Sequence, residues 1–376
     1  MSDLATDLAC PGGDRKAHLA RILPTLVQDH TIGFLHKRRE AIAAGSTGLV
    51  PMLDNFRETR ATHEVATLAP IRTLALSMAN EAEDTVYAAA LLGAHLTAHG
   101  RPGDWSARFQ KPHRVRFGRL LTPELIALSV EGGAVSYETD SGERRTIAMD
   151  KNAEGVLEIA AADLGDGRAI LVPDLSAIDT LSIHEKEGHS QSELSTRVSE
   201  IEQAIRLTRG LAPEYIAWYG DAVQAVVGLP VLIEGTVTSR TNPGQNGIVY
   251  ISSPCWGIRM AESLIHEASH QYYYAGLQEL NWTNLEDEKL YYSPYKRMDR
   301  PIERILLTFH AFGNVVLFYR QVLATTTNQR LREWTELNLK RHEEDLMPFV
   351  GHLEKSPGLT REGRRLFETL AGRVGR

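Results

Sequence analysis

Cysteine is almost absent: Cys10 and Cys255 are the only two in 376 residues. So few thiols, near opposite ends of the chain, exclude a disulfide framework and fit a reducing compartment. Basic runs are missing too. The 41 Lys and Arg are outnumbered by 48 Asp and Glu and spread among them, for a net charge of -7. That balance argues against a broad phosphate-binding surface, so no nucleic-acid partner is expected. No stretch reaches a membrane-spanning run of apolar residues, and the opening "MSDLATDLACPGGDRK" lacks the basic patch and apolar core of a secretion signal. The expectation is a soluble cytoplasmic protein without a membrane partner. What is present is ample apolar material, 43% of residues, enough for one large core or two modest ones.

Periodicity divides the chain into a helical N-terminal region (1–110), a small β module (111–180) and a helix-rich region (181–376). Apolar spacing over 14–44, with a break near Pro24, and over 62–99 predicts helices closing on Gly45 and Gly100. From about 113 to 174, period-two alternation broken by Asp-Ser-Gly and Gly-Asp-Gly predicts short antiparallel strands. "SIHEKEGHSQSELS" reads as a polar loop before a helix over 196–226; His184 and His189 in it stand at i and i+5, a poor spacing for one ion. "VLIEGTVTSR" and "GIVYISS" around "TNPGQN" predict a hairpin, and helices follow to the end, over about 299–324, 328–350 and 360–373. The fold class is therefore α+β, predominantly α-helical with small antiparallel β elements. Its candidate metal site lies on helices that follow the hairpin.

That candidate is "SLIHEASHQYYYAG". His266 and His270 stand one helical turn apart, so both imidazoles leave the same side of a helix and can meet one ion, with Glu267 at an adjacent angle. Two ligands hold a catalytic metal poorly. A third is expected from Glu286 or Glu288, or from His310 in "DRPIERILLTFHAFGNVVLFYR". There Asp299 is placed to cap the helix, Pro301 fits its first turn, and Gly313 leaves space beside an inward His310. Glu303, two turns earlier, is a reserve carboxylate. Glycine is absent three residues after His270 and histidine three later, which excludes the extended metzincin pattern.

Two chemistries compete for such an ion. Zinc would activate water, with Glu267 as general base, and cut a peptide bond. Iron(II) with three protein ligands leaves room for a 2-oxo acid and dioxygen. The second chemistry needs a cation for the distal carboxylate, and "KRMDRP" supplies Lys296, Arg297 and Arg300. Tyr273 and Tyr274 continue the histidine side of the helix as hydrogen-bond donors.

The run "NGIVYISSPCWGIRMAESLIHEASHQ", followed by "SPYKRMDRPIERILLTFHAF", resembles the HExxH proteins of ribosomal-peptide maturation, regarded as iron(II), 2-oxoglutarate-dependent peptide β-hydroxylases. The resemblance is clearest over about 230–325. It implies His266, His270 and His310 as metal ligands, with Arg300 and then Arg297 for the cosubstrate, and leaves Glu267 a less defined part. The leading expectation is an oxygenase hydroxylating a side-chain carbon of a precursor peptide, which the strand ending "IVYISS" could receive by edge pairing. A zinc metallopeptidase and a non-catalytic leader-peptide-binding module are the alternatives. The oxygenase expectation stands on three imidazoles around one cation; a carboxylate in place of His310 would remove that footing.

Overall fold

A computed structural model describes residues 3–13, 18–19, 22, 33–58, 82–98, 103–117, 120–132, 134–147, 157–165, 167–173, 191–229, 236–243, 247–284 and 288–375. The fold is mixed α+β, predominantly helical with small sheets. The expected break at Pro24, residues 62–81 of the second expected helix, the loop with His184 and His189, and Glu286 lie outside the described residues.

The chain forms two compact units, and neither is contiguous in sequence. One comprises Met1–Ile22, Ala162–Ile170 and Thr196–Arg376; the other comprises Leu23–Ala161 and Leu171–Ser195. The three successive regions read from composition are thus regrouped. Most of the expected N-terminal helices and β module make one unit, while the first residues of the chain and Ala162–Ile170 of the β module belong with the HExxH region.

In the smaller unit the helix Ala82–Ala98 packs on the strand Trp105–His113. That strand lies in an antiparallel sheet ordered Ser46–Thr47, Trp105–His113, Leu125–Glu131, Ala134–Glu138, Arg144–Ile147. The alternation expected from the sequence is real: Leu128, Val130, Val135 and Tyr137 turn inward with Trp105 and Ala107. On the other face Thr47, Ser106, Ser129, Ser136 and Thr146 stand in register as a row of hydroxyl residues.

In the HExxH unit the strand Ile248–Ser252 is buried at every position, as a run of β-branched and aromatic residues requires of a central strand. It pairs in parallel with Ala225–Leu229 and antiparallel with Ser239–Thr241. The expected antiparallel partner is therefore present, but "IVYIS" is interior and offers no free edge. Ser239–Thr241 is the outer strand of this sheet. The predicted helix over 196–226 is two helices, Gln191–Leu211 and Glu214–Ala222, parted at Pro213.

The helix Gly257–Gly276 carries the motif. Ile258, Ala261, Leu264, Ile265 and Ala268 are fully buried, so its apolar stripe faces the core as the spacing predicts. Its end is fixed by Trp282, whose indole N–H donates to the Tyr273 carbonyl at 3.0 Å. Gly276 permits that approach, since a Cβ there would stand 2.1 Å from the Trp282 ring.

Next comes a hairpin, Leu290–Ser293 with Met298–Pro301, turning through Arg297, whose φ of 53° is left-handed. Asp299 is spent in this hairpin, opposite Tyr292, rather than capping the helix, and Pro301 occupies the cap position before Ile302. The helix Ile302–Thr325 is buried on nearly all sides, against the helices Gly257–Gly276, Gln329–Lys355 and Arg361–Val374. It is the one helix among the described residues long and apolar enough to cross a membrane, and 78% of its apolar window is packed inside the protein. Gly313 serves that packing: a Cβ would meet Leu370 at 2.7 Å, so the missing side chain admits the last helix and not a ligand beside His310.

The last helix starts at a capping Thr360, whose hydroxyl accepts from Gly363 N–H at 3.0 Å. Gly363 sits against the Trp282 carbonyl, which a Cβ would approach to 1.8 Å. Gly363→Ala therefore has to push two backbones apart. We expect it to cost about 3 kcal/mol, measured as a lower urea midpoint; an unchanged midpoint would refute the close approach.

Candidate metal centre

Helical spacing places His266 and His270 on one side of Gly257–Gly276, with ring centroids 4.6 Å apart and planes nearly perpendicular. Glu267 joins them. One donor atom from each of His266, Glu267 and His270 lies within 4.8 Å of the other two, the only such His/Cys/Asp/Glu group among the described residues. The Glu267 carboxylate stands 4.0 Å from His266 Nε2 and has 1% side-chain exposure, while His266 has 17%; His270 is also partly exposed.

Burial sets the charge states. It lowers the His266 pKa to about 4, with Glu262 opposing the fall and His342, Lys296 and His310 adding to it. Burial likewise takes His270 well below the usual histidine range, helped by His266, His310, Arg304 and Lys296. Both imidazoles are therefore neutral at pH 7, the form that ligates a metal. Nδ1 of His270 is buried with no hydrogen-bond partner. Glu267 moves the other way, to about 7, because burial outweighs the hydrogen bonds from Ser239 and Thr241 and the charge of Lys296. Thr241 donates to its Oε2 at 2.5 Å, tying the motif to the outer strand of the sheet. Two neutral imidazoles and a carboxylate, one nitrogen left unpaired, fit a divalent cation.

Cations flank this group. Lys296 acts electrostatically on His266, Glu267 and His270, and Arg304 acts on His270. Arg304 also hydrogen-bonds the Tyr274 hydroxyl, and the Tyr274 ring lies 6.3 Å from His270. The arginines expected from the sequence stand one step away. Arg300 is half-buried and interacts with Arg304 and Tyr274, while Arg297 is exposed in the hairpin turn. Of the two tyrosines only Tyr274 borders the pair; Tyr273 turns into the core, against Trp282 and His310.

His310 does not join the group. Its ring is buried, but Nε2 lies 2.8 Å from the Leu8 carbonyl, and Trp218 and Tyr273 flank it. Asn314, one turn on, donates to the Ala9 carbonyl at 3.0 Å. These two side chains hold the first residues of the chain in the core. The residue of that helix facing the histidines is Phe312, 4.6 Å from His266. Two residues on a helix are about 200° apart, so with Phe312 at the site His310 must face away. The other carboxylates also fall outside the group: Glu288 is exposed, and Glu303 offers its backbone carbonyl to Tyr273.

A further carboxylate backs the site. Glu262, one turn before His266, accepts from the Tyr319 hydroxyl at 2.6 Å and lies 3.4 Å from His342 Nε2. Burial raises its pKa, but His342, Tyr319 and Arg259 together outweigh burial and keep it low. Tyr295 completes the arrangement, 3.1 Å from His342 Nδ1 and stacked on Phe312 at 3.8 Å.

Sequence reasoning missed Arg304, Glu262, Ser239 and Thr241. The first two carry a helical signal, Arg304 one turn after Arg300 and Glu262 one turn before His266. Ser239 and Thr241 have the i, i+2 spacing of one strand face, but nothing local says that this face meets Glu267. No family model matches the chain, and no curated protein matches it.

Proposed function

We propose that the chain is a metal-dependent, cytoplasmic enzyme acting on a ribosomally made precursor peptide, and that its reaction is iron(II)- and 2-oxoglutarate-dependent hydroxylation of a side-chain carbon. The footing in three imidazoles is gone. The reading now rests on one observation, a two-histidine, one-carboxylate donor set within electrostatic reach of Lys296 and Arg304, a combination that suits a metal with an anionic cosubstrate.

Iron(II), when bound, supplies the redox chemistry and the open positions for the 2-oxo acid and oxygen. His266 and His270 hold it with neutral nitrogens, and Glu267, steadied by Thr241, brings the negative charge. Arg304 and Lys296 neutralise the cosubstrate's carboxylates, Arg304 being oriented by Tyr274. Phe312, pressed between Tyr295 and His266, keeps water from one side. Anaerobically purified protein given iron(II), 2-oxoglutarate and then oxygen is expected to release succinate. No succinate, with or without peptides encoded beside the gene, would sink the oxygenase reading.

One observation favours a second reading, zinc-dependent peptide hydrolysis. A carboxyl raised to about 7 beside the histidines suits a general base. Glu267→Gln separates the two readings. As part of the donor set, its loss should weaken metal binding tenfold or more; as a base, its loss should stop cleavage by zinc-loaded protein while zinc stays bound.

A further inference from the structure

The outer strand beside the motif has an unused half. In the antiparallel pair Ser239↔Ile251, Arg240↔Tyr250, Thr241↔Val249, backbone bonds alternate between facing and outward positions. Ser252 N–H donates to the Thr238 carbonyl at 2.8 Å, so Thr238 and, two residues on, Arg240 turn their backbone groups toward the neighbouring strand. Those of Ser239 and Thr241 consequently point out of the sheet, and among the described residues nothing pairs with them. Each offers one N–H and one C=O, about 7 Å apart along the strand, the repeat of an extended chain.

The same two residues are tied to the motif through their side chains, since the hydroxyls of both Ser239 and Thr241 hydrogen-bond Glu267. The edge strand therefore lies against the motif helix at Glu267. Arg240 lies on the opposite sheet face, over the Tyr250 ring at 5.0 Å, and leaves the outward groups clear. A backbone in extended form is the ligand that satisfies alternating N–H and C=O groups at this spacing.

We propose that Ser239–Thr241 is the peptide-docking edge of this site. An extended substrate segment adds to the sheet as a further strand through the outward backbone groups of Ser239 and Thr241, which carries one of its residues past His266 and Glu267. This rests on the metal-centre reading above but holds alike for hydroxylation and hydrolysis, because it concerns the peptide's backbone and not the reaction. It also moves the docking edge from "IVYIS", which is interior, to the strand outside it.

The test uses zinc-loaded full-length protein and three probes in calorimetry: acetohydroxamate, the tripeptide hydroxamate acetyl-Leu-Ala-Gly-NHOH, and the same tripeptide methylated on its Leu and Ala nitrogens. The tripeptide should bind at least about tenfold tighter than acetohydroxamate, and methylation should remove that advantage. Equal affinities for all three would overturn the docking edge while leaving the metal centre standing. Failure of zinc or acetohydroxamate to bind would overturn both. Ser239→Pro removes one outward N–H without touching the ladder to Ile251, and Ser239→Ala is its control for the lost hydroxyl. Relative to acetohydroxamate, the proline variant should lose about three- to tenfold in tripeptide affinity and the alanine variant less than twofold. Equal losses in the two folded variants would overturn the assignment.

Discussion

His310→Ala is expected to cost about 3–5 kcal/mol of stability and to leave metal content unchanged, whereas His270→Ala should abolish metal binding at little cost to the fold. The imidazole of His310 fills a fully buried position between Trp218 and Tyr273, and its Nε2 meets the Leu8 carbonyl at 2.8 Å. Truncation leaves a cavity and strands a buried carbonyl that water cannot reach, two losses that add. Leu8 and Ala9 are themselves fully buried, so loosening their anchor exposes further apolar surface. His310→Gln restores a donor of similar reach and should recover part of the loss. Urea unfolding and metal analysis on the same preparations check this. A folded His310→Ala protein of ordinary stability that has lost its metal would return His310 to the ligand set and reverse our assignment.

The placement of His310 shows where a sequence stops being informative. Its burial was legible, because apolar residues surround it at helical spacing. A helix that is apolar on one stripe has a single inward direction; Ile302–Thr325 is buried on almost every side, so inward names several directions at once. Which of them meets His266 depends on the rotation of this helix against its neighbours, and that is fixed by Leu370 entering the gap at Gly313 and by Phe312 stacking on Tyr295. The pair His266 and His270 needed no such knowledge, since one helical turn determines their relation wherever the helix lies. Strand content was legible for a similar local reason: alternation over 125–138 and the β-branched run "IVYIS" each follow from nearest neighbours. The order of strands is not, and so "IVYIS" reads as an edge from its sequence although a parallel partner, Ala225–Leu229, covers its other side. The grouping of residues 3–13 with the HExxH unit was beyond reach for the same reason, as it depends on contacts some 300 positions away.

Metal-stripped protein is expected to lose stability steeply as pH falls from about 6.5 to about 4.5, by roughly 2–3 kcal/mol per pH unit. His266 and His310 titrate in the folded protein at about 4 and His270 well below its ordinary 6.5, all three chiefly through burial. In this window the unfolded chain therefore takes up three protons that the folded chain refuses. Glu267 acts in the opposite sense. Its folded pKa of about 7 exceeds the ordinary 4.5, so the folded chain holds a proton that the unfolded chain has released. The net excess in the unfolded state is about two protons, and stability rises with pH wherever the unfolded state binds more. Above 6.5 the unfolded histidines and the folded Glu267 release their protons together, so the two differences nearly cancel and stability should level off by about pH 7.5. Urea midpoints measured in half-unit steps from pH 4.5 to 7.5 give the slope directly. Two variants change it in opposite directions: Glu267→Gln removes the opposing proton and should steepen the slope to about three protons, while His310→Ala should flatten it to about one. A slope indifferent to both would mean that these groups titrate alike in the folded and unfolded chains, and the neutral, metal-ready histidines would lose their physical basis.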